Sequence, residues 1–131
     1  MIRFNGTTAL LLALAATPAF AAKPTPNMPA GEFLNRAEPL LNKGMAKLVF
    51  SGEARALAKT LGQAAENQRT RLEADWAARR PVTTCLPPKG KATIVAGEFL
   101  GYLRNLPPQE KTRSLDRAVA GYMARKYPCS R

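Results

Sequence analysis

Apolar side chains recur at helical spacing over most of the chain from residue 32 onward. A first short helix is predicted over Glu32 to Asn42, where Pro39 should end or kink it, and a second over Met45 to Phe50. Ser51 is then a good N-cap for the longest predicted helix, Glu53 to Arg79, which contains no proline. The N-terminal half of the domain is therefore expected to consist of three consecutive helices.

The expected buried face of the longest helix is narrow and rich in alanine. Its apolar residues are Leu57, Leu61, Ala65, Leu72 and Trp76, and Gln68 interrupts them. Such a face permits close packing against one neighbouring helix rather than burial on all sides. Trp76 either covers the core or is an exposed anchor for a partner, because tryptophan is enriched at binding hot spots.

Two more helices are predicted in the C-terminal part of the chain. One covers Ala92 to Asn105 and ends before Pro107-Pro108, and the other runs from the N-cap Ser114 to Pro128. No segment alternates between apolar and polar residues with period two, as a half-buried strand would. The predicted fold class is therefore all-α.

The first 21 residues have the pattern of a signal peptide. Arg3 gives a positive start, Ala9 to Ala16 is an apolar stretch too short to span a bilayer, and Ala19-Phe20-Ala21 offers small residues for cleavage. A buried N-terminal helix is the alternative interpretation. Cleavage near Ala21 would give a periplasmic or secreted protein with no stable membrane insertion.

After cleavage, two parts of different character are expected. Residues 22–31 contain three prolines and are predicted to form an extended or disordered leader without core residues. Residues 32–131 are predicted to form a single all-helical domain. A domain of this size buries only a thin core, so a covalent crosslink would be a useful supplement.

The chain has two cysteines, Cys85 and Cys129. In an exported protein the simplest interpretation is one disulfide bond. A reactive dithiol is the alternative, although the spacing is far from Cys-x-x-Cys and no histidine is present to activate a thiolate. The bond would close the two C-terminal helices at their open end. The prediction is thus a small helical domain with a disulfide-closed C-terminal helical hairpin.

Residue chemistry argues against an enzyme. The chain has no histidine, the commonest general base and metal ligand, and its nine acidic residues are scattered singly. Glu73 and Asp75 are close in sequence but point to different faces of a helix, so a paired-carboxylate mechanism is not expected. We therefore predict a non-enzymatic protein without a metal or other cofactor.

The formal net charge of +11 is spread over several groups of basic residues. The predicted partner-binding residues lie near the cysteines and at the end of the long helix: Trp76, Arg79, Arg80, Lys89, Lys91, Arg125 and Lys126. Such a surface can bind an acidic protein or an anionic headgroup, and the alternative is a solvated basic face. Nucleic acid is not predicted as a partner, because the chain is exported and no aromatic residues interleave with the basic ones.

The region from Cys85 to Cys129 resembles a known family. Cys85-Leu86-Pro87 is followed by a short basic turn, a helix ending in Tyr102-Leu103, a proline break, and a last helix closing in Tyr127-Pro128-Cys129. This pattern is similar to the Rap/Tai group of periplasmic immunity proteins, which protect bacteria against cell-wall-attacking toxins of the type VI secretion system.

The resemblance implies an exported, helical, disulfide-bonded and often homodimeric protein that neutralises an effector by occluding it. The fold of that group is similar to the fold of the acid-stress periplasmic chaperones. The alternative function is therefore a periplasmic stress chaperone, or an envelope protein of similar fold, whose partner would be a client rather than an effector.

Overall fold

The computed structural model describes residues 22–130, and the predicted signal peptide lies outside them. The described part contains helices and no strand. Its helices are α1 (Ala30–Leu41), α2 (Met45–Phe50), α3 (Gly52–Ala77), α4 (Ala96–Arg104), α5 (Pro108–Lys111) and α6 (Leu115–Lys126). The predicted small all-α domain is confirmed.

Two of the predicted helix starts are confirmed by their caps. The Ser51 hydroxyl accepts a hydrogen bond from the Ala54 backbone N–H at 3.1 Å, and the Ser114 hydroxyl accepts one from Arg117 at 3.2 Å. Each bond satisfies one of the backbone donors that the first turn of a helix leaves free. Local side-chain chemistry therefore determines where α3 and α6 begin.

Other helix boundaries differ from the prediction. Helix α1 begins at Ala30 rather than Glu32 and, like the predicted helix, extends past Pro39, to Leu41. The helix predicted from Ala92 begins only at Ala96, since the β-branched residues 93–95 favour extended backbone. Pro108 was expected to follow a helix end, but it also starts the single turn α5, where a proline in the first position loses no hydrogen bond.

The prediction that residues 22–31 carry no core is wrong. Met28 is buried in the core, and α1 already begins at Ala30. The Met28 carbonyl accepts from the Leu115 backbone N–H at 2.8 Å, and the Pro26 carbonyl accepts from Asp116 at 3.0 Å. The extended leader therefore supplies the acceptors that the first turn of α6 needs.

The core lies where α6 packs on α3 and α4 packs on α1. Phe99 of α4 is at its centre, with its ring 5.3 Å from the Tyr122 ring and 6.1 Å from the Phe33 ring, both edge to face. Helices α4 and α6 run antiparallel, because Lys126 at the end of α6 contacts Glu98 at the start of α4. The predicted hairpin is present, although each of its helices packs mainly on a different partner.

The buried face of α3 differs from the predicted stripe. Its buried residues are Leu57, Thr60, Ala64 and Gln68, whereas Trp76 is 72% exposed. Thr60 can be buried because its hydroxyl donates to the Ala56 carbonyl at 2.9 Å. The buried face of α3 is thus rotated about the helix axis relative to the predicted face. As a result, Leu61 and Ala65 are only half-buried and lie on a side of α3 that borders a groove.

Candidate functional site

A disulfide joins Cys85 to Cys129, with their Cα atoms 4.8 Å apart. Two backbone hydrogen bonds flank it, from the Cys85 N–H to the Tyr127 carbonyl at 2.9 Å and from the Cys129 N–H to the Thr83 carbonyl at 3.0 Å. This junction fixes the segment between α3 and α4 to the end of the chain. The predicted pairing is confirmed.

Trp76 lies beside this junction at the C-terminal end of α3. The Arg79 N–H donates to the Trp76 carbonyl at 3.1 Å, and the Arg80 N–H donates to the Asp75 carbonyl at 2.9 Å. This pair of bonds is a Schellman motif, which normally has glycine at the position that Arg79 occupies. Arg79 adopts a φ of 56°, in the left-handed region. The end of α3 is therefore ordered by its own hydrogen bonds although its side chains are exposed.

The large exposed side chains at this end are Trp76, Arg79 and Arg80, which we call the Trp76 surface. Arg80 forms an ion pair with Asp75 at 2.7 Å, whereas Arg79 has no ion pair within residues 22–130. A shallow depression of about 450 Å³ adjoins the indole, bordered by Leu72 and Leu86. The surface thus combines a large aromatic ring, a positive charge that is unpaired within the described residues, and an adjoining shallow depression.

The other predicted partner-binding residues are distributed differently. Lys89 and Lys91 are exposed in the turn after the disulfide, and Lys89 pairs with Glu66 at 3.4 Å. Arg125 lies over the Tyr102 ring, with its guanidinium carbon 5.7 Å from the ring centroid. These contacts are compatible with a role in binding, which stays a prediction for all of them.

The Lys126 side chain forms several polar contacts within the protein. Its ammonium donates to the Tyr122 hydroxyl at 3.2 Å and to the Thr93 carbonyl at 3.3 Å, and it lies 3.5 Å from the Glu98 carboxylate. The hydrogen bond to Tyr122 is the main cause that raises the pKa of Lys126. Burial is the main cause that raises the pKa of Tyr122. This group connects the end of α6 to the start of α4.

An apolar groove of about 660 Å³ is the feature that the sequence reasoning missed. It is lined by residues of α1, α2 and α3, by residues between 86 and 100, and by Met123 and Tyr127 at the end of α6. Representative lining residues are Ala37, Leu40, Leu57, Leu61, Ile94 and Phe99. The alanine-rich side of α3 was the signal that could have indicated it, because small side chains leave space between helices.

The polar side chains of the apolar groove are Arg55, Glu66, Arg69, Lys89, Thr93 and Tyr127. Arg69 is half-buried and donates to the Pro87 carbonyl at 3.1 Å, which holds the loop after the disulfide against α3. Glu66 is the partner of Lys89. The charged residues around the groove are thus three cations and one carboxylate.

Within residues 22–130, no three histidine, cysteine, aspartate or glutamate side chains are grouped so that they could hold a metal ion. In the same range, no helix has the length and apolar character needed to cross a membrane.

Comparison with known proteins gave no match to a protein-family model, a curated protein or a solved structure. The resemblance to the Rap/Tai group therefore rests on the sequence motifs alone.

Proposed function

We propose that this protein is an exported, non-enzymatic binding protein of the immunity type, which occludes an effector through the Trp76 surface. The observation that carries the proposal is the indole of Trp76, 72% exposed on a helix end that its own hydrogen bonds keep ordered. Tryptophan and arginine dominate the binding energy of protein interfaces. A tryptophan on an ordered backbone has only two χ angles to fix and therefore loses little conformational entropy on binding.

The backbone of Arg79 supports the same proposal. A left-handed conformation costs a residue with a Cβ atom about 1–2 kcal/mol, and glycine would avoid this cost. Backbone strain of this kind clusters at functional sites. An arginine at this position supplies a charge beside Trp76, and within residues 22–130 no carboxylate neutralises it. The favoured partner surface is therefore acidic, with an apolar group opposite the indole.

The site of action that we propose is the periplasm or the extracellular space. The disulfide supports it, because such bonds persist in oxidising compartments. The signal-peptide pattern of residues 1–21 and the motifs shared with the Rap/Tai group support it independently.

The experiment is affinity capture from periplasm with the oxidised protein as bait, followed by an activity assay on the captured partner. A cell-wall hydrolase should be retained and inhibited by the wild type. Trp76→Ala should lose both effects. Phe50→Ala is the matched control, because Phe50 is an even more exposed aromatic residue (83%) on α2. Retention of the hydrolase by Trp76→Ala, or failure to inhibit it, would contradict the proposal.

A stress chaperone is the second candidate, and the contact between Arg36 and Glu53 favours it. These residues connect α1 to α3, which border the apolar groove. Protonation of Glu53 at low pH would weaken the connection and expose more of the apolar groove, beside Val49 and Phe50, which are already exposed. A chaperone should prevent aggregation of a model client at pH 3 and not at pH 7. Equal aggregation with and without the protein at pH 3 would remove this candidate.

A further inference from the structure

The apolar groove has the dimensions of a ligand site, and Trp76 does not line it. Its volume of about 660 Å³ lies within the range of about 300–1,000 Å³ that is typical of small-molecule sites. Its floor is formed by core residues such as Leu57 and Phe99, so the groove is a fixed part of the fold. A ligand bound here would contact mainly carbon atoms.

Small residues recur along the wall that α3 contributes, beside Leu57 and Leu61. Ala54, Ala58, Gly62 and Ala65 succeed one another along it. Space is open at Gly62, where an added Cβ atom would meet no atom within 4 Å. From Arg55 to Arg69 the helix rises about 21 Å, at about 1.5 Å per residue. The residues of α3 that line the groove therefore extend over about 21 Å, and we call the space along this wall the track.

The charges at the groove favour an anionic group. Glu66 and Lys89 pair with each other at 3.4 Å, so the net positive charge here equals that of Arg69, one N–H of which is bound to the Pro87 carbonyl. Arg69 has further N–H donors, since a guanidinium carries five. It is also half-buried, so solvent screens its charge less than that of an exposed arginine. Arg69 and Lys89 both line the groove, and both contact or belong to the loop after the disulfide at the C-terminal end of the α3 wall, which we call the cationic end of the track.

A single alkyl chain suits this space better than a protein helix. A helix of about 10 Å diameter running 21 Å would occupy about 1,600 Å³, more than twice the volume of the groove. Only one row of its side chains could enter. One acyl chain extends about 15 Å, half the thickness of a bilayer core, and can lie in the track along its whole length.

We propose that the apolar groove binds a free long-chain carboxylate, with its alkyl chain along α3 and its carboxylate at Arg69 and Lys89. This goes beyond the proposed function, because it uses a different surface and a different class of ligand. Apolar burial supplies the affinity, and the charge-assisted hydrogen bonds fix the direction of the chain.

The experiment is calorimetric titration of the oxidised protein with hexadecanoate below its micelle concentration. One saturating site is expected. Octanoate should bind at least about a hundredfold more weakly, since it lacks eight CH₂ groups. Hexadecyltrimethylammonium has the same chain length and the opposite charge, and should bind at least about tenfold more weakly. Equal affinity for the two long-chain ions would overturn the assignment of the carboxylate position.

Two pairs of variants locate the ligand. Ala58→Trp fills the track at an exposed position and should abolish binding, whereas Ala74→Trp, exposed on the same helix outside the groove, should bind like the wild type. Lys89→Gln should weaken binding about tenfold, and Arg55→Gln at the opposite end should change it less than threefold. Unchanged binding by Ala58→Trp would overturn the proposal.

The same variants separate this proposal from the proposed function. Trp76→Ala should fail to capture the hydrolase and still bind hexadecanoate. Ala58→Trp should capture the hydrolase and fail to bind hexadecanoate. If the groove instead held a segment of the protein partner, hexadecanoate would not bind and Ala58→Trp would lose the hydrolase. That result would overturn the carboxylate site while leaving a protein-binding function in place.

Discussion

The hydroxyl oxygen of Tyr102 lies only 2.5 Å from the place that a Cβ atom would occupy at Gly121. Gly121 is on α6 and Tyr102 is on α4, so the absence of a side chain allows the two helices of the hairpin to approach at this point. Tyr102 is also stacked near Phe99, with ring centroids 6.3 Å apart. Its ring therefore cannot move without disturbing an aromatic contact of the core.

Gly121→Ala should destabilise the protein by about 1 kcal/mol, because overpacking displaces the tyrosine ring. In a Tyr102→Phe background the nearest atom would be the ring carbon at 3.7 Å, an ordinary contact. There the same substitution should stabilise by about 0.5–1 kcal/mol, through the higher helix propensity of alanine. Urea unfolding of the four proteins measures this change of sign.

Gly62→Ala is the matched control for the helix-propensity effect. Gly62 is exposed within α3 and has open space around its Cβ position. It should stabilise by about 0.5–1 kcal/mol in both backgrounds. A destabilisation by Gly121→Ala that persists with Phe at position 102 would show that the Tyr102 hydroxyl is not the obstacle.

Sequence signals that act within a few residues predicted the structure well. The N-caps Ser51 and Ser114 and the end of α6 before Pro128 depend on local chemistry. The disulfide could be predicted because each of the two cysteines had only the other as a possible partner within the chain. The burial of Met28 could not be predicted, because it depends on backbone donors of α6 that lie almost 90 residues away. The groove and the exposure of Trp76 also depend on elements that are distant in sequence. Neither follows from the periodicity of α3 alone.

The contact between Arg36 and Glu53 should make stability depend on pH. Arg36 donates to both carboxylate oxygens, at 2.6 and 3.0 Å. These hydrogen bonds, opposed in part by burial, hold the pKa of Glu53 below its ordinary 4.5. A lowered pKa contributes stability that is present above pH 4.5 and lost as the pH falls through the folded-state value.

Glu53→Gln should therefore destabilise by about 1 kcal/mol at pH 7, since the pair is partly exposed and screened. The difference from the wild type should shrink towards zero near pH 2. Glu73→Gln is the control, an exposed carboxylate on the same helix with no ion pair within residues 22–130. Chemical unfolding at pH 7, 4 and 2 measures the effect, and a difference that does not vary with pH would contradict it.

Loss of the disulfide should release the segment that forms one wall of the groove. The double variant Cys85→Ser/Cys129→Ser removes both thiols and should lower the free energy of unfolding by about 2–5 kcal/mol. Hydrogen exchange should accelerate most at the amides of Cys85 and Cys129, which donate across the junction. Amides in the middle of α3 should change only as much as global stability does. Uniform acceleration along the chain would mean that the junction is not a separate unit.

Arg79→Gly tests whether the left-handed arginine at the end of α3 lowers the stability of the protein and at the same time strengthens binding to the partner. Removing the Cβ atom relieves about 1–2 kcal/mol of left-handed strain, and the greater freedom of glycine in the unfolded chain takes back about 0.5–1 kcal/mol. The variant should therefore be more stable by about 0.5–1 kcal/mol and still capture less hydrolase than the wild type. Arg80→Gly is the control. The φ angle of Arg80 is not positive, and its side chain pairs with Asp75, so this variant should be less stable than the wild type. A stabilised Arg79→Gly that captures the hydrolase as well as the wild type would show that the strain has no role in binding.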